Sequence, residues 1–131
     1  MRLRSISLVF CLSLISTSVS AQSATGTSKL AWTQAGPDLT AVQAFVYRHY
    51  DDASTTGIAL PTAAVKCVEQ VPAVAGMFEC EVGFPAFAPG AHTLTLTAGN
   101  AAGESAKSAP LVFTFFVVPS PPTILRIVVL P

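Results

Sequence analysis

Charge is scarce in this chain. Its 131 residues include seven Lys or Arg, seven Asp or Glu and only two histidines. So few basic residues offer no patch for a phosphate backbone, so nucleic acid is not an expected partner. His49 and His92 belong to neither a His-x-x-x-His nor a His-Glu-x-x-His spacing, so zinc has no framework. There is no Gly-x-Ser-x-Gly elbow, no Gly-rich phosphate loop and no Asn-x-Ser/Thr acceptor. Asp51 and Asp52 are adjacent, and neighbours in an extended chain point to opposite sides, which makes a poor carboxylate pair. The alternation of an EF-hand loop is also missing. No enzyme, no metal site and no cofactor is expected from this inventory. The apolar runs are too short for a membrane span, which takes roughly 20 residues.

The N-terminus sets the compartment. Arg2 and Arg4 precede an apolar stretch over residues 6–15, then Ser and Thr, then Val19-Ser20-Ala21. Charged start, short apolar core and small-residue end are the order of a secretory signal peptide over residues 1–21, cleaved after Ala21. Phe10 stands before Cys11 where a lipid-anchor signal wants a small residue, so no anchor is expected. The chain is therefore expected to be secreted, either extracellular or periplasmic. Its mature part is one domain by length. It keeps five basic residues against seven acidic ones.

Export also explains the cysteines. Cys67 and Cys80 remain after processing, and an even pair in an exported domain reads as a disulfide. A metal or redox pair would want a third ligand or a Cys-x-x-Cys spacing, and neither is present.

The mature chain reads as strands. Leu94, Leu96 and Ala98 alternate with Thr93, Thr95 and Thr97, the period of a half-buried strand. Residues 111–118 form a nearly continuous apolar run, as a covered strand does. Residues 22–29 are small and polar and read as a flexible leader. Trp32, the single tryptophan, reads as a core anchor. Residues 40–50 read as one strand, with Val42, Ala44 and Val46 on one side and Phe45, Tyr47 and His49 on the other. Residues 62–69 and 77–82 form the cysteine-bearing pair. Residues 84–90, with two prolines, make a corner. Turn signals about every ten residues, without a helical period, predict an all-β antiparallel sandwich of about seven strands.

This order resembles the fibronectin type III domain, one of the immunoglobulin-like sandwiches, over residues 30–118. Trp32 sits where that family keeps a tryptophan on its second strand. Phe87-Ala88-Pro89-Gly90 is similar to its Leu-x-Pro-Gly corner, and residues 92–100 to its Tyr-x-Val-x-Val-x-Ala-x-Asn strand. Residues 102–108 are similar to the turn into its last strand. His92 replaces the corner tyrosine, where an imidazole can make a similar hydrogen bond, and the first strand is missing or very short. The resemblance implies shape and says little of purpose.

Beyond the domain, Pro119, Pro121 and Pro122 make a stiff linker, and residues 123–130 read as a further strand. That strand is expected either to dock on its own domain or to add to another subunit, which would build polymers. The candidate binding face is Phe45, Tyr47 and His49 beside Thr93, Thr95 and Thr97, an aromatic-and-hydroxyl surface for a protein or a cell-surface glycan. The expected function is a secreted binding or structural module for adhesion or surface assembly. The alternatives are a carbohydrate-binding accessory domain and a subunit polymerising through residues 123–130.

Overall fold

The computed structural model describes residues 21–129. The expected signal peptide lies outside the described residues except for Ala21, as does Leu130 of the expected C-terminal strand. In chain order the elements are β1 (Gln22–Thr25), β2 (Lys29–Ala35), α1 (Leu39–Ala44), β3 (Val46–Asp51), β4 (Ile58–Ala59), a 3-10 turn (Thr62–Ala64), β5 (Lys66–Glu69), β6 (Met77–Gly83), β7 (Gly90–Asn100), β8 (Gly103–Glu104) and β9 (Leu111–Phe116).

The strands make two sheets. The larger runs β1-β9-β7-β3-β4, with β8 paired to β7; the smaller runs β2-β6-β5. All pairings are antiparallel except β1 with β9. Leu30, Phe78 and Val82 of the smaller sheet and Leu94, Leu96 and Phe113 of the larger are buried in one cluster, so the two inner faces form a sandwich core. The period of two in β7 delivers this directly. Leu94 and Leu96 turn inward, and Thr93 and Thr95 stay half-buried on the outer face.

Cys67 and Cys80 stand opposite each other on β5 and β6, with Cα atoms 4.0 Å apart, and are joined as a disulfide. The bridge lies within the smaller sheet and faces the core. Residues 84–89 are irregular, as two prolines demand. They bring Phe84 and Phe87 inward against the core.

Four expectations are corrected. Residues 22–29 are not a flexible leader. Gln22–Thr25 pairs in parallel with Phe113–Phe116, and Ala24 is buried. A strand with a single inward side chain shows no apolar alternation, which hides it in sequence. The missing first strand is therefore present, and short. Residues 40–50 are not one strand, because Asp38 caps a helix. Its carboxylate accepts from the Ala41 amide at 2.8 Å. Leu39, Val42 and Phe45 then fall at three-residue spacing and pack on the core, a helical period that overlaps the strand-like one. Gly36 permits this, since any Cβ there would collide with the Val42 side chain. Residues 62–64 form a 3-10 turn, so the cysteine strand starts at Lys66. Finally, residues 117–129 carry no strand and pair with nothing among the described residues.

Candidate functional site

The expected aromatic-and-hydroxyl face is not assembled. On β3, Tyr47 pairs with Ala98 and His49 with Leu96, so both side chains share the inner face. Arg48 pairs with Thr97 and Tyr50 with Thr95, so these two share the outer face with the threonines. The helix consumes the residues that would have continued the alternation, and Phe45 becomes its C-cap, half-buried against the core. Thus Thr93, Thr95 and Thr97 come together, and Phe45 and Tyr47 come together (rings 6.3 Å apart), but on different sides of the sheet.

Tyr47 is a structural tie. Its hydroxyl donates to the Val42 carbonyl at 2.9 Å, which holds the last turn of α1 against the sandwich. Trp32 meets its ring edge-on at 4.9 Å. Burial pushes the Tyr47 hydroxyl up to about 12, so it stays a donor at any physiological pH. The Trp32 indole N–H is buried beside it without completing a hydrogen bond.

At the other end of the sandwich the corner residues close an aromatic cluster. Phe113 lies 5.0 Å from Phe84 and 5.1 Å from Phe87, mostly edge-to-face, and stacks on His92 at 5.5 Å. His49 meets Phe87 at 5.7 Å. It is 6 % exposed and its Nδ1 has no partner. Burial lowers its pKa, against the pull of Asp51, and favours the neutral ring. The ring borders an apolar cleft of about 480 Å³ with Ile58, Leu60, Val82 and Phe84.

His92 does what the corner tyrosine was expected to do. Its Nε2–H donates to the Ala88 carbonyl at 2.8 Å, four residues upstream. Its Nδ1–H donates to the Asp51 carboxylate at 3.0 and 3.1 Å, and Asp52 lies 3.7 Å away. Two donating N–H groups describe the imidazolium. The backbone bond to Ala88, the Asp51 hydrogen bond and the two carboxylates raise the His92 pKa against the effect of burial.

The two aspartates therefore do not diverge. Asp52 adopts φ 48°, a left-handed turn that aspartate tolerates, and this swings its carboxylate to the same side. Asp51, Asp52 and His92 offer ligand atoms within 4.8 Å of one another. Each is already engaged: one Asp52 oxygen accepts from the Thr93 amide at 2.8 Å, and the Asp52 amide donates to the Thr93 carbonyl at 2.7 Å. The cluster staples the end of β3 to β7.

The outer face carries a network that alternation alone did not single out. Glu104 accepts from the Thr97 hydroxyl and, at 2.6 Å, from the Tyr50 hydroxyl, and pairs with Arg48 at 3.4 Å. The hydrogen bonds from Thr97 and Tyr50 hold the Glu104 carboxyl below its usual range, and its bond to Glu104 raises Tyr50. Lys107 covers the Tyr50 ring at 4.1 Å from its centre, and any Cβ at Gly57 would collide with that ring. No sequence spacing marks this set, because its members lie on four separate segments.

Two unpaired surfaces stand out among the described residues. The first is β2, one edge of the smaller sheet (β5 is the other), since β1 pairs with β9 instead. Beside it opens a cleft of about 330 Å³ between β2 and residues 105–111. Residues 105–108 run along β7 without joining it as a strand: Ser105 and Ser108 each exchange an amide and a hydroxyl bond with Ala98 and Leu96. The second surface is the tail, where Ile124, Leu125, Ile127, Val128 and Val129 are 66–92 % exposed. The loop after β5 also exposes Val71 and Val74. Among the described residues no helix is long and apolar enough to cross a membrane. The chain matches no protein-family model and no curated protein.

Proposed function

We propose that the chain is an exported, non-catalytic module of the immunoglobulin-like, fibronectin type III-like kind that works by binding protein in adhesion or surface assembly. Its binding element is the segment 123–129. One observation carries this reading: five large aliphatic side chains there stand in solvent beyond three prolines, and none of them belongs to the core cluster of the sandwich. Exposed apolar clusters of this kind mark interaction sites.

Several features support the family assignment. A β2-β6-β5 sheet facing β9-β7-β3 follows the B-E-D against G-F-C order of these sandwiches. Trp32 lies on the second strand, and the His92 bond to Ala88 serves as the corner bond. The bridge departs from the antibody pattern, being within one sheet rather than between two. A disulfide also supports an oxidising compartment, as export requires. The face offered for a protein or a glycan alike is divided, because Tyr47 and His49 lie on the side of the sheet opposite the threonine hydroxyls.

The test is capture from the source's own surface or medium. The mature chain and a Leu125→Asp/Ile127→Asp variant are immobilised side by side. A partner retained by the first and lost by the second is expected. Equal retention would move the binding element elsewhere.

A further inference from the structure

We propose that residues 123–129 of one copy add as a strand to β2 of a second copy and seat their side chains in the cleft beside Trp32. This rests on the reading of the tail as the binding element, and names its receptor.

Three observations meet here. First, β2 presents a free edge. Strand edges carry a row of unpaired N–H and C=O groups, and proteins usually cover, shorten or charge them. This one is seven residues long, and past Lys29 it carries no charge. Second, the sandwich is open along that edge. Leu96 and Ala98 of β7 form the cleft floor, with Leu30 and Trp32 on one wall and Leu111 on the other. The Trp32 indole N–H at this wall is buried beside the Tyr47 hydroxyl without completing a hydrogen bond.

Third, the chain carries a segment with matching form. Residues 123–129 span seven residues, as β2 does, or roughly 23 Å at strand rise for each. Extended, they place Leu125, Ile127 and Val129 on one face and turn Arg126 to the other, between Ile124 and Val128. One face is thus apolar enough for the cleft and the other keeps a charge for solvent. The linker argues for a second copy. Pro119, Pro121 and Pro122 favour an extended course, which leads the segment away from its own domain, where it is exposed throughout. Each copy then offers one donor and one acceptor. Such head-to-tail contacts build chains or closed rings.

The experiment uses the mature full-length chain. Light scattering after size exclusion, over a hundredfold range of concentration, should show oligomers that grow with concentration. The Leu125→Asp/Ile127→Asp variant should remain monomeric with an unchanged circular dichroism spectrum. A synthetic peptide of residues 119–131 should then bind that variant one to one. Binding should shift the fluorescence of Trp32, the sole tryptophan, to shorter wavelength. A wild-type monomer at every concentration overturns the inference and leaves the capture of another protein by the tail to its own test. Oligomers that persist in the variant exclude the tail as donor. A monomeric variant whose tryptophan ignores the peptide excludes β2 as acceptor while keeping the tail as the binding element.

Discussion

His92 on β7 reaches Asp51 at the end of β3, with Nδ1 3.0 Å from the carboxylate, while its other nitrogen holds the Ala88 carbonyl. One side chain thus ties the corner, the central strand and the next strand of the larger sheet. Because both nitrogens donate, the tie depends on a proton. The native pKa is raised, so the stabilisation is fully present below the ordinary histidine range and is lost as pH rises through the native value. The melting temperature should therefore fall on the alkaline side of about pH 6.5. His92→Tyr keeps a donor for Ala88 and cannot take up the proton, so it should flatten that limb. Thermal melts from about pH 5 to about pH 9 decide it; an unchanged alkaline limb in the variant counts against the imidazolium.

His49 should act with the opposite sign. Burial lowers its native pKa, so the unfolded chain takes up the proton first as pH falls. Stability is present above the ordinary histidine pKa and is lost below it. Its ring packs edge-on against Phe87, a place a phenyl ring can fill. His49→Phe should remove the acid limb between about pH 6.5 and the carboxylate range. Glu104, held low by Thr97 and Tyr50, gives stability that is present above the ordinary carboxylate range and is lost only at more acid pH, as pH falls through its lowered pKa. A His49→Phe protein that still loses stability near pH 6 would show that the acid limb arises from another group.

The disulfide closes a short loop, with a sequence separation of 13. The chain-entropy estimate for such a loop is about 3 kcal/mol. Replacing both cysteines by alanine should lower the free energy of unfolding by about that amount. Urea melts of the pair of proteins measure it. A loss under about 1 kcal/mol would mean that the β5–β6 pairing already restrains the unfolded chain.

Tyr47→Phe removes one hydroxyl and leaves the Val42 carbonyl without that donor. The expected cost is about 1 kcal/mol, because the carbonyl keeps the Phe45 amide as a donor at 3.3 Å. Amide exchange should show the loss concentrated in α1, whose last turn that bond holds. A uniform loss across both sheets would show that α1 opens only with the whole domain.

The sequence was most legible where periodicity and burial agree. The threonine-leucine alternation of residues 93–97 located β7 and its inner face, and the cysteine pair located β5 against β6. The corner motif placed His92, and with it the bond to Ala88. It failed where two periods overlapped. Residues 39–45 satisfy both a strand and a helix, and Asp38 decides between them by capping. That reassignment removed the first half of the expected strand, and the register of β3 then put Tyr47 and His49 inside. The binding face was lost with it.

Local chemistry alone set the strand-rich composition, the turn positions, the paired cysteines and the apolar tail. Each of these depends on neighbours along the chain, which the sequence displays. The tertiary structure decided which side of β3 meets the core, that Gln22–Thr25 joins β9 and leaves β2 open, and that Asp52 turns back toward His92. Those outcomes depend on contacts between residues some 40 to 90 positions apart. A side chain's face is a property of the partner strand's register, and register is settled only when the two sheets close on a shared core.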